Sequence, residues 1–425
     1  MTLLPGRAHR WRRASSVCAA CVLIAASVAL RAAAQPLETA SAREPRSSID
    51  DVTEPLLARV EAEEARDGPF SRNLIDLLAS LGFAYQEYGD HDLARAILER
   101  ALYLQRFNEG LFNLDQAPLL ERLIESELGL GRAEEAAELQ QRLLELARRN
   151  REDPRSAAIF RAAAEREMAY YERYLQGELP LVIAINDGNS AARMAQASIR
   201  RARRHYNEAI GVLFANVAED RTVLAELAEL EEELARTFYL EASHRRRSLF
   251  QGPTDPLYGQ GVGSYRRRVG YASTTSSTAF DYARALVELA DWSLLFSRNG
   301  TAVERYAEAF ALLVEQRVPA ASIEELFPSD RPVFLPAFVS SPLDASAVAG
   351  STGHVDVDFE IGKYGQPRKV RVVAVSDDVA ARESKAVLAA IARARYRPPP
   401  GPGAPSATEY RLRYSLADGS FTPRL

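Results

Sequence analysis

The chain is 425 residues long, 47% hydrophobic and 26% charged, an ordinary globular composition with enough apolar content for two or three domains. Its net charge is −5, and the first 34 residues hold five arginines and no acid, so the remainder carries 48 bases against 58 acids. So acidic a body lacks the concentrated basic face that nucleic-acid binding needs, and with both cysteines, Cys18 and Cys21, inside the basic N-terminal stretch, the rest has no thiol for a disulfide, a metal site or a nucleophile.

Residues 1–13 are basic, and Val17 to Leu30 is an uncharged apolar run. Fourteen residues is short for a bilayer core that needs about 20 in a helix. A basic start, a short apolar run and Ala32-Ala33-Ala34 before Gln35 are the three parts of a secretory signal, so residues 1–34 are read as a cleavable signal peptide. The competing reading is an uncleaved anchor. Under either, the arginines keep the N-terminus in the cytoplasm and place the rest of the chain outside the cytoplasmic membrane.

Residues 35–54 read as a flexible leader, and 55–327 as a helical array rich in Ala, Leu, Glu and Arg with apolar residues at helical spacing. In its clearest unit, Leu78, Leu81, Gly82 and Tyr85 share one helix face. Gly89-Asp90 makes a turn, and Ala94, Leu98 and Ala101 share the next face. A second unit spans 117–149, its turn Gly131-Arg132 lying 42 residues after the first, with Glu127 in place of the tyrosine. A third spans 280–314, where Ala302, Tyr306 and Ala309 repeat the second-helix spacing and Trp292 and Phe296 fill the first helix. Between them, 155–250 reads as long helices broken at 177–188, where Leu181 to Ile185 fits a helix turn or a strand. Residues 251–278, with five glycines and many Ser and Thr, read as a loop.

The first unit resembles the tetratricopeptide (TPR) motif. Leu81-Gly82/Tyr85 match its L-G-x-x-Y, and Ala94/Leu98/Ala101 its A-x-x-x-F-x-x-A. The resemblance implies an α-solenoid whose helix pairs stack to complete one another's core and leave a concave surface for an extended or helical peptide. The bland alternative is a spacer.

Prolines at 328, 332, 336 and 342 mark 328–350 as a linker or extended approach, followed by a compact domain over 351–425. Val355, Val357, Phe359 and Ile361 alternate with polar residues as a half-buried strand. A turn at 362–365 leads to a second strand through Val370–Val375. A helix over 380–394 follows, with Ala386, Leu388, Ala389 and Ile391 on its apolar side, and a last strand holds Tyr410, Leu412, Tyr414 and Leu416. This β-β-α-β order, with Tyr396-Arg397-Pro398 closing the helix, resembles the C-terminal domain of TonB family proteins. It departs from them at Ala394 and Arg395 near the helix end, and lacks the long proline-rich periplasm-spanning segment. The expected fold is therefore mostly α, a TPR-like solenoid followed by a small α+β domain.

A three-stranded sheet leaves an edge with unpaired N–H and C=O groups, to which an extended peptide can add. The resemblance implies that use, and the terminal strand is the expected edge, with Glu409, Tyr410, Arg411, Leu412, Arg413 and Tyr414 as protein-binding residues. Its alternatives are an edge covered by residues 417–425 or by a second copy. Arginine runs at 200–204, 245–247 and 266–268 read as solvated helix faces, or as readers of anionic lipid, cell wall or a protein. Glu231-Glu232-Glu233 reads as helix surface. The five histidines are scattered, Gly259-x-Gly-x-Gly263 lacks the lysine-serine end of a phosphate loop, and G-x-S-x-G is absent, so no catalytic residue, metal or cofactor is assigned. The expected function is a non-enzymatic periplasmic adapter whose partners are envelope proteins. The alternative is a membrane-anchored energy transducer contacting outer-membrane receptors.

Overall fold

The computed structural model describes residues 49–177, 188–216, 221–247, 255–274, 278–336, 353–400, 407–417 and 421–423. The signal peptide, most of the leader and the Leu181–Ile185 segment lie outside them. The chain divides into two units, Met1–Phe160 with Leu179–Met194, and Arg161–Glu178 with Ala195–Leu425.

The first unit is a stack of antiparallel helices: α1 (Ile49–Asp67), α2 (Leu74–Glu87), α3 (His91–Glu109), α4 (Ala117–Gly129), α5 (Ala133–Arg149) and the start of α6 (Arg155–Gln176). Helix α1 begins inside the expected leader, ahead of Pro55, because Asp50 and Asp51 in its first turn suit the positive end of the helix dipole. The α2–α3 and α4–α5 hairpins share one turn. Gly89 and Gly131 take φ of +84° and +75°, the left-handed region glycine enters at no steric cost. The next N–H then returns to the carbonyl five residues back, Asp90 to Tyr85 at 2.9 Å and Arg132 to Glu127 at 2.8 Å. Repetition at 42 residues extends to the side chains. Asn108 Nδ2 donates to the Phe70 carbonyl at 3.2 Å, and Asn150 Nδ2 to the Phe112 carbonyl at 2.9 Å.

Packing explains the motif residues. A Cβ on Gly82 would stand 2.7 Å from Leu98 Cδ2, so only glycine lets α2 approach α3 this closely, and Leu78, Leu81, Ala94, Leu98 and Ala101 are buried there. Glu127, in the place of Tyr85, is buried about 4 Å from Arg132 and Arg95. Burial raises its pKa, with the two arginines opposing the rise.

The second unit holds the rest of α6, α7 (Gly188–Asn216) from Ala195 onward, α8 (Arg221–Arg247), α9 (Asp255–Thr274), α10 (Ala279–Leu295), α11 (Asn299–Glu315) and the short α12 (Ala320–Leu326). The expected 251–278 loop is thus corrected to a helix over 255–274. Its glycines serve contact: a Cβ on Gly261 would overlap the indole of Trp292, which packs there fully buried. Burial of Leu257, Val262 and Tyr265 offsets a glycine cost of about 1 kcal/mol each. Helix α10 starts with a capping box in which Thr278 Oγ1 accepts from Asp281 N–H and Asp281 accepts from Thr278 N–H. The α10–α11 turn repeats the left-handed conformation at Ser297, φ +61°, and Ala302, Tyr306 and Ala309 are buried as their spacing implied.

After α12 the chain forms β1 (Phe334–Leu335), β2 (His354–Gly362), β3 (Pro367–Val375), α13 (Ala381–Arg393), β4 (Arg395–Tyr396), β5 (Ala407–Ser415) and β6 (Phe421–Pro423). The antiparallel sheet runs β3-β2-β5-β6, and β1 pairs separately with β4. One sheet face carries Val355, Val357, Phe359, Ile361, Tyr410, Leu412 and Tyr414 into a core closed by α13. That helix buries Val387 and Ile391, one turn apart, rather than the expected Ala386 and Leu388.

Candidate protein-interaction surface

The second face of the sheet is a ladder of ion pairs. Asp356, Asp358 and Glu360 of the central strand β2 stand between bases of both neighbours. Arg413 Nε lies 2.8 Å from Asp356, Arg371 Nη2 3.1 Å from Asp358, and Lys369 Nζ 2.6 Å from Glu360. The long side chains lie across the two aspartates and bury them, although alternation alone would turn those positions to solvent.

Strand β5 is flanked on one side by β2 along its whole length. On the other, β6 pairs with Leu412, Arg413 and Tyr414 only. Among the described residues, no strand pairs with that side of Thr408–Arg411. The six residues named from sequence therefore divide. Tyr410, Leu412 and Tyr414 point into the core, Glu409, Arg411 and Arg413 point out, and Arg413 is tied to Asp356. The opposite edge is β3. It carries Arg368, Lys369 and Arg371 and a left-handed residue at Lys369, φ +52°, and its pairing to β2 shifts register twice. Cations and bulges are devices that keep strands from adding to an edge.

Residues 344–416 match the family model of the Gram-negative bacterial TonB protein C-terminal. The C-terminal domain resembles that of TonB. The chain is also similar to a solved structure of nearly identical TPR-like repeats from Podosopora anserina, at 14% identity over 59% of this chain and 99% of that one, TM-score 0.33. A further similarity is to BtubC from P. vanneervenii, at 12% identity over 64% of this chain and 94% of that one, TM-score 0.31. No curated protein matches the chain.

The TonB-like domain is fastened to the end of the helical array by contacts the sequence did not announce. Arg397, just after β4, makes a two-pronged pair with Asp291 of α10, Nε to Oδ1 at 3.1 Å and Nη2 to Oδ2 at 2.6 Å. Its third nitrogen donates to the Leu326 carbonyl, and Tyr306 of α11 donates its hydroxyl to Asp291 at 2.5 Å. Burial depresses the guanidinium pKa, but the charge and bonds of Asp291 outweigh it and leave Arg397 firmly cationic. Burial and the neighbouring carboxylate push the Tyr306 phenol well up. Gly365 of the 362–365 turn, φ +68°, sits where a Cβ would overlap the Tyr396 carbonyl and stand 2.8 Å from Leu294 of α10. Beside this junction a cleft of about 250 Å³ opens between Phe327, Val333, Pro398, Pro399, Thr408 and Tyr410, against the unpaired half of β5.

Five arginines of the runs at 200–204 and 266–268 are struts between helices. Arg200 and Arg203 of α7 reach Glu241 of α8, and Arg201 reaches Glu167 of α6 at 2.6 Å. Arg267 and Arg268 of α9 reach Glu231 and Glu232 of α8, and Arg268 also reaches Glu288 of α10 at 2.8 Å. Glu231, expected on the surface, is fully buried by its arginine. Glu288 is pushed up to about 7 by burial, against the pull of Arg268. Among the described residues no cluster of His, Cys, Asp or Glu is placed to hold a metal ion, and no helix is long and apolar enough to cross a membrane.

Proposed function

We propose that the chain is a non-enzymatic adapter of the Gram-negative envelope, working in the periplasm once its signal peptide is removed. One protein docks on the helical repeats and another lays an extended segment along the open half of β5. The observation that carries this reading is Thr408–Arg411, a stretch of strand paired, among the described residues, on one side only and bordered by an apolar cleft. An incoming strand gains backbone hydrogen bonds there, and the cleft offers a pocket to an apolar side chain of that segment. The basic, bulged β3 edge is the disfavoured alternative.

The test is photo-crosslinking in intact cells from a benzophenone side chain placed at Glu409 or Arg411, with Val373 on β3 as comparison. Crosslinks at 409 and 411 but not at 373 support the β5 edge. Crosslinks at 373 alone, or at none of the three, overturn it. The TonB resemblance favours a second reading, a membrane-anchored transducer contacting outer-membrane receptors. Intact mass of the native chain separates the two: a chain starting at Gln35 fits the soluble adapter, and one retaining its apolar N-terminus fits the transducer.

A further inference from the structure

The first unit carries an apolar patch that its own folding does not require. Phe70, Tyr103 and Phe107 form a cluster with ring centroids 5.2–6.5 Å apart, and Leu111 and Phe112 follow in the turn after α3. All five are between 51% and 66% exposed. The 42-residue repeat shows what the fold itself asks of these positions. Phe112 occupies the place of Phe70, and each has its carbonyl held by an asparagine. At the places of Tyr103 and Phe107, however, the second hairpin has Glu145 and Arg149, with the Arg149 guanidinium 4.1 Å over the Phe112 ring. A charged pair satisfies the hairpin there, so the exposed rings of the first hairpin have another use.

The patch suits a copy of itself. Five side chains of about 200 Å² each, slightly more than half bare, present roughly 500 Å², as large as the biggest patch on an ordinary monomer. Two such patches face to face remove roughly 1,000 Å² from water, the lower bound for a specific interface. Two charges beside the patch are paired within the chain, Arg72 with Glu109 and Arg149 with Glu145 at 2.9 Å. Charges paired in this way give no handle to a strongly charged partner and little repulsion between identical faces. We propose that Phe70, Tyr103, Phe107, Leu111 and Phe112 form an isologous contact through which two copies of the chain pair about a two-fold axis.

Sedimentation equilibrium of the purified native chain, from about 1 to about 100 µM, tests this in the range where so small an interface dissociates. A monomer–dimer equilibrium is expected. The double change Tyr103→Ser with Phe107→Ser should weaken it at least about tenfold, since buried aromatic anchors carry most of such contacts. Phe214→Ser, which removes an equally exposed ring on α7 of the second unit, should leave it unchanged. Helical circular dichroism of each variant checks that the fold is intact, and neither touches a buried residue. A wild-type chain that stays monomeric at about 100 µM overturns the proposal, whether or not the patch captures a foreign protein. So does a dimer that the double change leaves intact, or one that Phe214→Ser disrupts equally.

Discussion

Asp291 accepts from a buried arginine and a buried tyrosine at once, so its loss leaves two polar groups without the partner that offset their burial. Removing one member of a buried pair costs about 3–5 kcal/mol, because the remaining charge stays desolvated. Asp291→Asn should therefore lower stability by that order in urea unfolding. Arg397→Met should cost a similar amount, since it leaves the Asp291 carboxylate desolvated with the Tyr306 hydroxyl alone, and the double variant should fall well short of the sum. Additive losses would show that the two side chains do not act as a pair. Glu288, one turn away on α10, gives a pH signature. Its folded pKa of about 7 is above its ordinary 4.5, so between those values the native state holds a proton that the unfolded chain releases. That contribution is fully present below about pH 4.5 and is lost as pH rises to about 7. Glu288→Gln should flatten the decline of the melting temperature across this window. An unchanged slope would mean that the carboxylate is not held in its neutral form.

At the level of elements, α9 separates two kinds of helical glycine. Gly261 has the Trp292 indole where a Cβ would go, whereas Gly259 and Gly270 face open space at ordinary helical φ. Alanine at 259 or 270 should stabilise by about 0.5–1 kcal/mol each, and Gly261→Ala should destabilise by more than that. Thermal melts of the three variants would decide it, and stabilisation by all three would contradict the packing of α9 on α10. From sequence the same glycines implied a loop, because propensity sees their cost and is blind to Trp292, 31 positions further on. The hairpin turns were legible for the opposite reason. Gly89 and Gly131 act through local backbone geometry, as does the period-2 alternation of β2. The pairing of Arg200, Arg201, Arg203, Arg267 and Arg268 was not legible because their acids sit on other helices, and β6 is too short to show any period.

On the largest scale, the second unit joins helices and sheet through one buried junction, so the two should melt together. The pairing of Asp291 with Arg397 spans 106 positions, which is why no local pattern announced it and why 328–350 read as a linker. Instead β1, from within that stretch, pairs with β4, Arg397 N–H donates to the Val333 carbonyl at 2.9 Å, and Gly365 abuts Leu294. A chain beginning at Gln35 has Trp292 as its only tryptophan, wedged against Gly261 and Tyr265 on the helical side of the junction. Ile391→Ala, in the sheet domain's core, should cost about 2–5 kcal/mol and lower that domain's melting temperature by several degrees. If the junction couples the parts, Trp292 fluorescence should report the same displacement, although Ile391 lies in another core. If the Trp292 transition stays at its wild-type temperature while the sheet melts early, the domain unfolds alone and the junction is a contact of little energy. Coupled melting would mean that a strand captured at β5 acts on a body continuous with the terminal repeats rather than on a tethered module.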